Sequence, residues 1–172
     1  MRFSLRVAAK IVSFMIIVFS CAGCTGNDIS SGPLAPNFSL TDLSGRMISL
    51  KQNLGRVVLL DFWATWCGPC RMTIPELIKV SERYERNDVI VLGVSLDDPR
   101  TVTNQQLLTF KERSSINYPV LRYNRKVIQD YFGNEPISIP AMFIIDREGR
   151  IRDKIVGFKS GVIEQALDRL LK

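Results

Sequence analysis

Trp66-Cys67-Gly68-Pro69-Cys70 places two thiols three residues apart, a spacing that serves either disulfide exchange or half of a metal site. Aromatic residues before the pair, Gly-Pro within it and Arg71 after it do not resemble a zinc knuckle. A second pair, Cys21 and Cys24, is no partner for it. The gap from Cys24 to Cys67 is far longer than the ~15–20 residues that separate zinc-binding pairs. The chain also has no histidine, which excludes c-type haem attachment, His-metal sites and histidine-based general base catalysis. The expected chemistry is redox exchange by the Cys67–Cys70 pair, with no metal and no other cofactor.

The neighbouring residues predict how the pair is held. Val57 to Trp63 is a short apolar run rich in β-branched and aromatic residues, the pattern of a buried strand. After the cysteines, Ile74, Leu77 and Ile78 recur at helical spacing. Cys67 is therefore expected at a helix N-terminus, with Pro69 in the first turn, where its missing N–H costs little. Only a thiolate attacks a disulfide, and a free cysteine with pKa ~8.5 is mostly protonated at neutral pH. The unpaired N–H groups and the positive end of the helix dipole favour a thiolate on Cys67, the outer thiol. Cys70, one turn further in, is placed to resolve the mixed disulfide.

The segment Asp61-Phe62-Trp63-Ala64-Thr65-Trp66-Cys67-Gly68-Pro69-Cys70 resembles the active-site segment of thioredoxins. Residues 33–172 resemble the membrane-tethered TlpA-like or ResA-like branch of thiol–disulfide oxidoreductases; the "APNFSLTDLSG" segment that opens the domain is similar to the one with which TlpA-like and peroxiredoxin-like proteins begin, and plain thioredoxins do not. The resemblance implies an α/β thioredoxin fold: a mixed central sheet, helices on both faces, an N-terminal β-hairpin and a central insertion. It further implies that Trp66, Gly68 and Pro69 contact the substrate together with Ile139 and a cis Pro140. An acid within Leu60-Asp61-Phe62 is expected to be buried, which raises a carboxyl pKa. The resemblance gives Asp61 the task of taking the proton from Cys70. Many ResA-like proteins have Asn at this strand position and Glu three residues after the second cysteine. Here Asp61 and Thr73 stand in those places, an arrangement closer to general thioredoxins.

The N-terminus has a different character. Arg2, Arg6 and Lys10 precede an apolar run from Ile11 to Phe19, and small residues follow, which is the form of a secretory signal. Cys21-Ala22-Gly23-Cys24 resembles a bacterial lipobox, with Cys24 lipidated; lipidation at Cys21 and cleavage without a lipid are the alternatives. The expected organisation is a signal over residues 1–23, a tether over 24–35 rich in Gly, Ser, Asn and Pro, and one domain over 36–172. The formal charge of +6 falls to about +3 once the three signal cations are removed, and no basic cluster interleaved with aromatics points to nucleic acid.

Within the domain, Phe38, Leu40, Ile48 and Leu50 alternate around residues 42–46 as a hairpin. Val89 to Ser95 reads as the next buried strand, reached by a right-handed crossover from a helix that Asn87 closes. Thr103 and Gln106 form a capping-box pattern within the insertion, residues 96–120. Asp97, Asp98 and residues 111–113 read as solvated charges. Residues 126–132 read as a short helix ended by Gly133. Ile163, Ala166, Leu167 and Leu170 mark a C-terminal amphipathic helix.

These readings converge on an exported, lipid-anchored thiol–disulfide oxidoreductase facing the periplasm or the outer side of the cytoplasmic membrane. The Gly-Pro pair suggests a reducing poise near thioredoxin's ~−270 mV. The resemblance implies protein disulfides as substrates, apocytochrome c cysteines among them, and a membrane electron donor of DsbD or CcdA type. Two alternatives stand beside this: a peroxiredoxin-like thiol peroxidase and a non-catalytic docking lipoprotein. The first lacks the proline three residues before Thr65 that a peroxidatic loop requires, and the second is at odds with an intact Cys67–Cys70 pair.

Overall fold

A computed structural model describes residues 32–84 and 89–172. The segments expected to be the signal (1–23), the lipidation site Cys24 and most of the tether, like Asn87, lie outside the described residues. Among the described residues no helix is long and apolar enough to cross a membrane, and no cluster of metal-ligating side chains occurs.

The central strand is β3, Val57–Trp63, and all seven of its residues are buried. Such a run is apolar on both faces because both faces are covered. It pairs parallel with β4, Val89–Ser95, in register from Val57↔Val89 to Trp63↔Ser95. On its other side it runs antiparallel to β6, Ala141–Ile145, from Val58↔Ile145 to Phe62↔Ala141. β5, Val120–Arg122, and β7, Ile151–Val156, complete a sheet in the order β5-β4-β3-β6-β7. A separate hairpin, β1 (Ser39–Thr41) and β2 (Met47–Ser49), joins Leu40 to Ile48 as expected and meets the edge strand through an Asp42↔Leu121 bridge.

Side chains alternate across a strand, so β3 feeds two cores. Val57, Leu59 and Trp63 pack with α1 (Gly68–Arg83), α2 (Asn104–Arg113) and α4 (Val162–Leu170), through Ile74, Leu77, Leu107, Ile163 and Leu167. Val58, Leu60 and Phe62 pack with the hairpin and with α3 (Arg125–Phe132), where Phe62, Tyr131, Phe132 and Phe143 form an aromatic cluster. Helices therefore cover both faces. The capping box of α2 is present: the Gln106 N–H donates to Thr103 Oγ1, and the Thr103 N–H to Gln106 Oε1.

The last four residues expected in the tether are docked. The Ile151 N–H donates to the Pro33 carbonyl, the Ala35 N–H to the Gly149 carbonyl, and Arg150 Nη1 to the Gly32 carbonyl. Composition marks residues 32–35 as loop-like, but the β6–β7 turn supplies their backbone partners. Helix α1 has Tyr84 as its C-cap, whose N–H donates to the Val80 carbonyl, and the Tyr84 carbonyl accepts the Val89 N–H at the start of β4.

Candidate active site

β3 ends at Trp63, and four residues later Cys67 caps α1. The Cys67 sulfur accepts the Cys70 backbone N–H at 3.2 Å, one of the amides that a helix N-terminus leaves without an intrahelical partner. Cys67 and Cys70 are joined as a disulfide. Cys67 keeps 5% of its surface exposed and Cys70 none, so Cys67 is the outer residue of the pair. Gly68 and Pro69 are exposed beside it, and Trp66 is 67% exposed. When the disulfide is reduced, the same amide and the helix dipole favour the thiolate of Cys67.

The antiparallel β6 brings the chain back to the cysteines. The Ile139–Pro140 peptide is cis, and the Ile139 carbonyl oxygen lies 3.8 Å from Cys67 Sγ. A groove of about 460 Å³ opens alongside, walled by Trp66, Leu96, Tyr123, Ile128, Ile137 and Ile139, with Arg125 and Gln129 among its lining residues. Trp66 and Ile139, expected from separate parts of the sequence, thus meet at one opening, while Pro140 itself is buried.

Asp61 lies in the middle of β3, between Gly93 and Met142 of the neighbouring strands. It is fully buried, and neither carboxylate oxygen has a hydrogen-bond partner. Burial alone pushes its carboxyl up to about 8. By strand alternation its side chain shares the sheet face of Leu59 and Trp63, the face packed against α1 and Cys70. Thr73 is buried in α1 and its hydroxyl donates to the Cys70 carbonyl at 2.7 Å, so this position carries a structural hydrogen bond.

The sequence reading missed the residues that brace the loop before Cys67. Asp97, expected to be solvated, is fully buried. Its carboxylate accepts the Thr65 N–H at 3.0 Å, the Thr65 hydroxyl at 2.6 Å and the Ser95 hydroxyl at 2.9 Å. Arg71 donates from Nε and Nη2 to the Thr65 carbonyl, and its guanidinium lies over Phe110, which packs on Trp63. Lys111, also expected to be solvated, donates to the carbonyls of Ile116 and Tyr118 at 2.7 and 2.6 Å. Asp98 does behave as a surface charge, paired with Arg100. A Ser-x-Asp sequence at a strand end was the available signal for Asp97, since such side chains bond nearby backbone. Its partner Thr65, however, is distant in sequence.

The arrangement is the thioredoxin class of fold, carrying the Cys67–Cys70 disulfide at its strand–helix junction. More particularly, the chain belongs to the AhpC/TSA family, whose model matches residues 32–154. It is 35% identical over 141 residues to the thioredoxin-like protein YneN of Bacillus subtilis, spanning 81% of this chain and 80% of that one. It is 33% identical over 127 residues to the thiol-disulfide oxidoreductase ResA of Bacillus thuringiensis, spanning 73% and 69%. The crystal structure of a thiol:disulfide interchange protein of the thioredoxin family from Chlorobium tepidum is similar, with a TM-score of 0.73 at 25% identity over 82% of this chain and 97% of that chain.

Proposed function

We propose that this protein is a thiol–disulfide oxidoreductase that reduces protein disulfides outside the cytoplasm. The observation that carries the reading is the graded burial at the head of α1: Cys67 on the helix cap keeps the little exposed surface of the pair, and Cys70 and Asp61 are fully buried. The reduced Cys67 thiolate attacks a substrate disulfide, forming a mixed disulfide and releasing one substrate thiolate. Asp61 then takes the proton of the Cys70 thiol. The Cys70 thiolate attacks Cys67 Sγ, closing the Cys67–Cys70 bond and expelling the second substrate thiolate. Two electrons pass to the substrate, and the buried pair is left oxidised.

The groove beside Trp66 and Ile139 suits an extended polypeptide with an apolar residue near its cysteine, and the Ile139 carbonyl is available to a backbone N–H of that segment. Export by the segment 1–23 and lipidation at Cys24 would hold the domain at a membrane surface, on a tether shortened by the docking of residues 32–35. A reductase in that position needs electrons from a membrane donor of DsbD or CcdA type, and apocytochrome c cysteines are the substrates to try first.

The test is the reduction potential of the Cys67–Cys70 pair, measured by equilibration with dithiothreitol or glutathione. A value near or below ~−250 mV supports a reductase, whereas a value near ~−120 mV would make the protein an oxidant.

A further inference from the structure

The two ends of β3 serve different neighbours. Cys67 follows its last residue, Trp63, whereas residues 32–35 are docked beside its first. The Gly55 N–H, just before the strand, donates to the Arg147 carbonyl of the β6–β7 turn. The same turn holds Ala35 through the Gly149 carbonyl and Leu34 through a bridge to Arg150. The strand between these two ends has seven residues. At ~3.3 Å per residue, it sets the exit toward Cys24 ~20 Å from the cysteines.

This end carries an apolar patch. Leu34 is 67% exposed and Leu54 47%, and neither belongs to either core. Both line a hollow of about 310 Å³ with Ala35 and Leu50, and Lys51 and Glu148 are its charged members. Cations dominate the surrounding loops: Lys51, Arg56, Arg147 and Arg150 stand against Glu148 and a buried Asp146. An exposed apolar centre within a basic surround is the composition that suits an anionic lipid interface.

We propose that the Leu34–Leu54 end of the domain rests on the lipid surface, so that Cys67 is presented away from the membrane. This rests on the anchoring at Cys24 proposed above. Seven residues separate Cys24 from Gly32. That stretch can span at most ~29 Å, so the anchor keeps this end of the domain close to the lipid. A patch held in this way docks intramolecularly, at an effective concentration in the ~mM range. Two leucines that would not retain a free protein are then sufficient, and the basic surround adds attraction to anionic headgroups. Cys67 faces the aqueous phase ~20 Å beyond the docked loops, open to protein substrates. A membrane electron donor has to carry its thiols out by about that distance to meet it.

The test uses the full-length chain, produced with residues 1–23 in a bacterial host that acylates lipoproteins. It is reconstituted in vesicles of phosphatidylglycerol and dibrominated phosphatidylcholine, whose bromines quench tryptophan at short range. The two native tryptophans, Trp63 and Trp66, lie at the Cys67 end and act as the control. Leu34→Trp and Leu54→Trp each place a third at the docking end, on exposed positions that the fold does not depend on. Their added emission is expected to fall about twofold relative to unbrominated vesicles, since interfacial side chains sit ~5–10 Å into the headgroup boundary. The native emission should not change, and Leu34→Asp should relieve the quenching at Leu54→Trp. Retention on the vesicles without quenching of either added tryptophan, or quenching of the native pair, would overturn the inference. Added tryptophans that are unquenched yet shielded from acrylamide would give the patch to a protein partner, a second copy included, and would equally overturn it. If the wild-type chain is retained no better than Cys24→Ala, the anchoring fails, and this inference fails with it.

Discussion

Asp97 Oδ2 accepts the backbone N–H of Thr65 at 3.0 Å, fastening the residue two before Cys67 to the end of β4, thirty-two positions away in sequence. Together with the Thr65 and Ser95 hydroxyls, this makes the buried carboxylate the anchor of the active-site loop. Asp97→Ala leaves these donors without an acceptor, and a buried donor left unsatisfied costs about 1–3 kcal/mol. A loss of about 2 kcal/mol in urea denaturation is expected. Disulfide reduction should slow as well, because the loop that presents Cys67 loosens.

Asp61 gives the stability of the fold a pH dependence whose sign follows from burial. Its carboxyl is near 3.8 when unfolded and about 8 when folded. Between these values the unfolded chain has released the proton and the folded chain has kept it, so stability falls as pH rises from about 4 to about 8. Asp61→Asn removes this dependence. The variant should be as stable as wild type near pH 4 and more stable above pH 8. The gain is a few kcal/mol at most, since a tenfold change in a proton-binding constant is worth about 1.4 kcal/mol. Thermal melts at several pH values check this. The same variant should slow the resolving step by roughly 10²-fold, the usual scale for a lost general base.

Gly93 is required by packing. Its φ is ordinary, but a Cβ there would enter the space of Trp63 Nε1 and of the Tyr118 ring, both fixed in the core. Overpacking of this kind costs about 1–3 kcal/mol. Gly93→Ala should lower the melting temperature without changing which sulfur is attacked.

Most of this architecture was legible in the sequence. Local patterns carried it: the apolar run of β3, the helical spacing after Cys70, the capping box at Thr103 and the alternation of the hairpin each report on neighbours a few residues apart. The burial of Asp61 was legible for the same reason, since its flanks are a buried strand. The parts that were not legible depend on partners far away. Asp97 and Lys111 look like ordinary surface charges, and only the fold shows that each meets groups that must be satisfied in the interior.

Trp66 separates protein substrates from small ones. At 67% exposure it contributes little to the core, so Trp66→Ala should change stability by no more than about 0.5 kcal/mol. It also walls the groove beside Cys67. A roughly tenfold rise in KM for a polypeptide disulfide is expected, equivalent to about 1.4 kcal/mol. Turnover of a small disulfide such as 5,5'-dithiobis(2-nitrobenzoate) should be unaffected. Parallel kinetics on the two substrates check both statements.

Reduction of insulin disulfides with dithiothreitol as electron source tests the central claim most directly. The wild-type chain is expected to accelerate it well above dithiothreitol alone. Cys67→Ser should abolish the acceleration, and Cys70→Ser should accumulate a mixed disulfide through Cys67 that non-reducing electrophoresis detects. A wild-type rate equal to that of dithiothreitol alone, or acceleration that survives Cys67→Ser, would contradict the account.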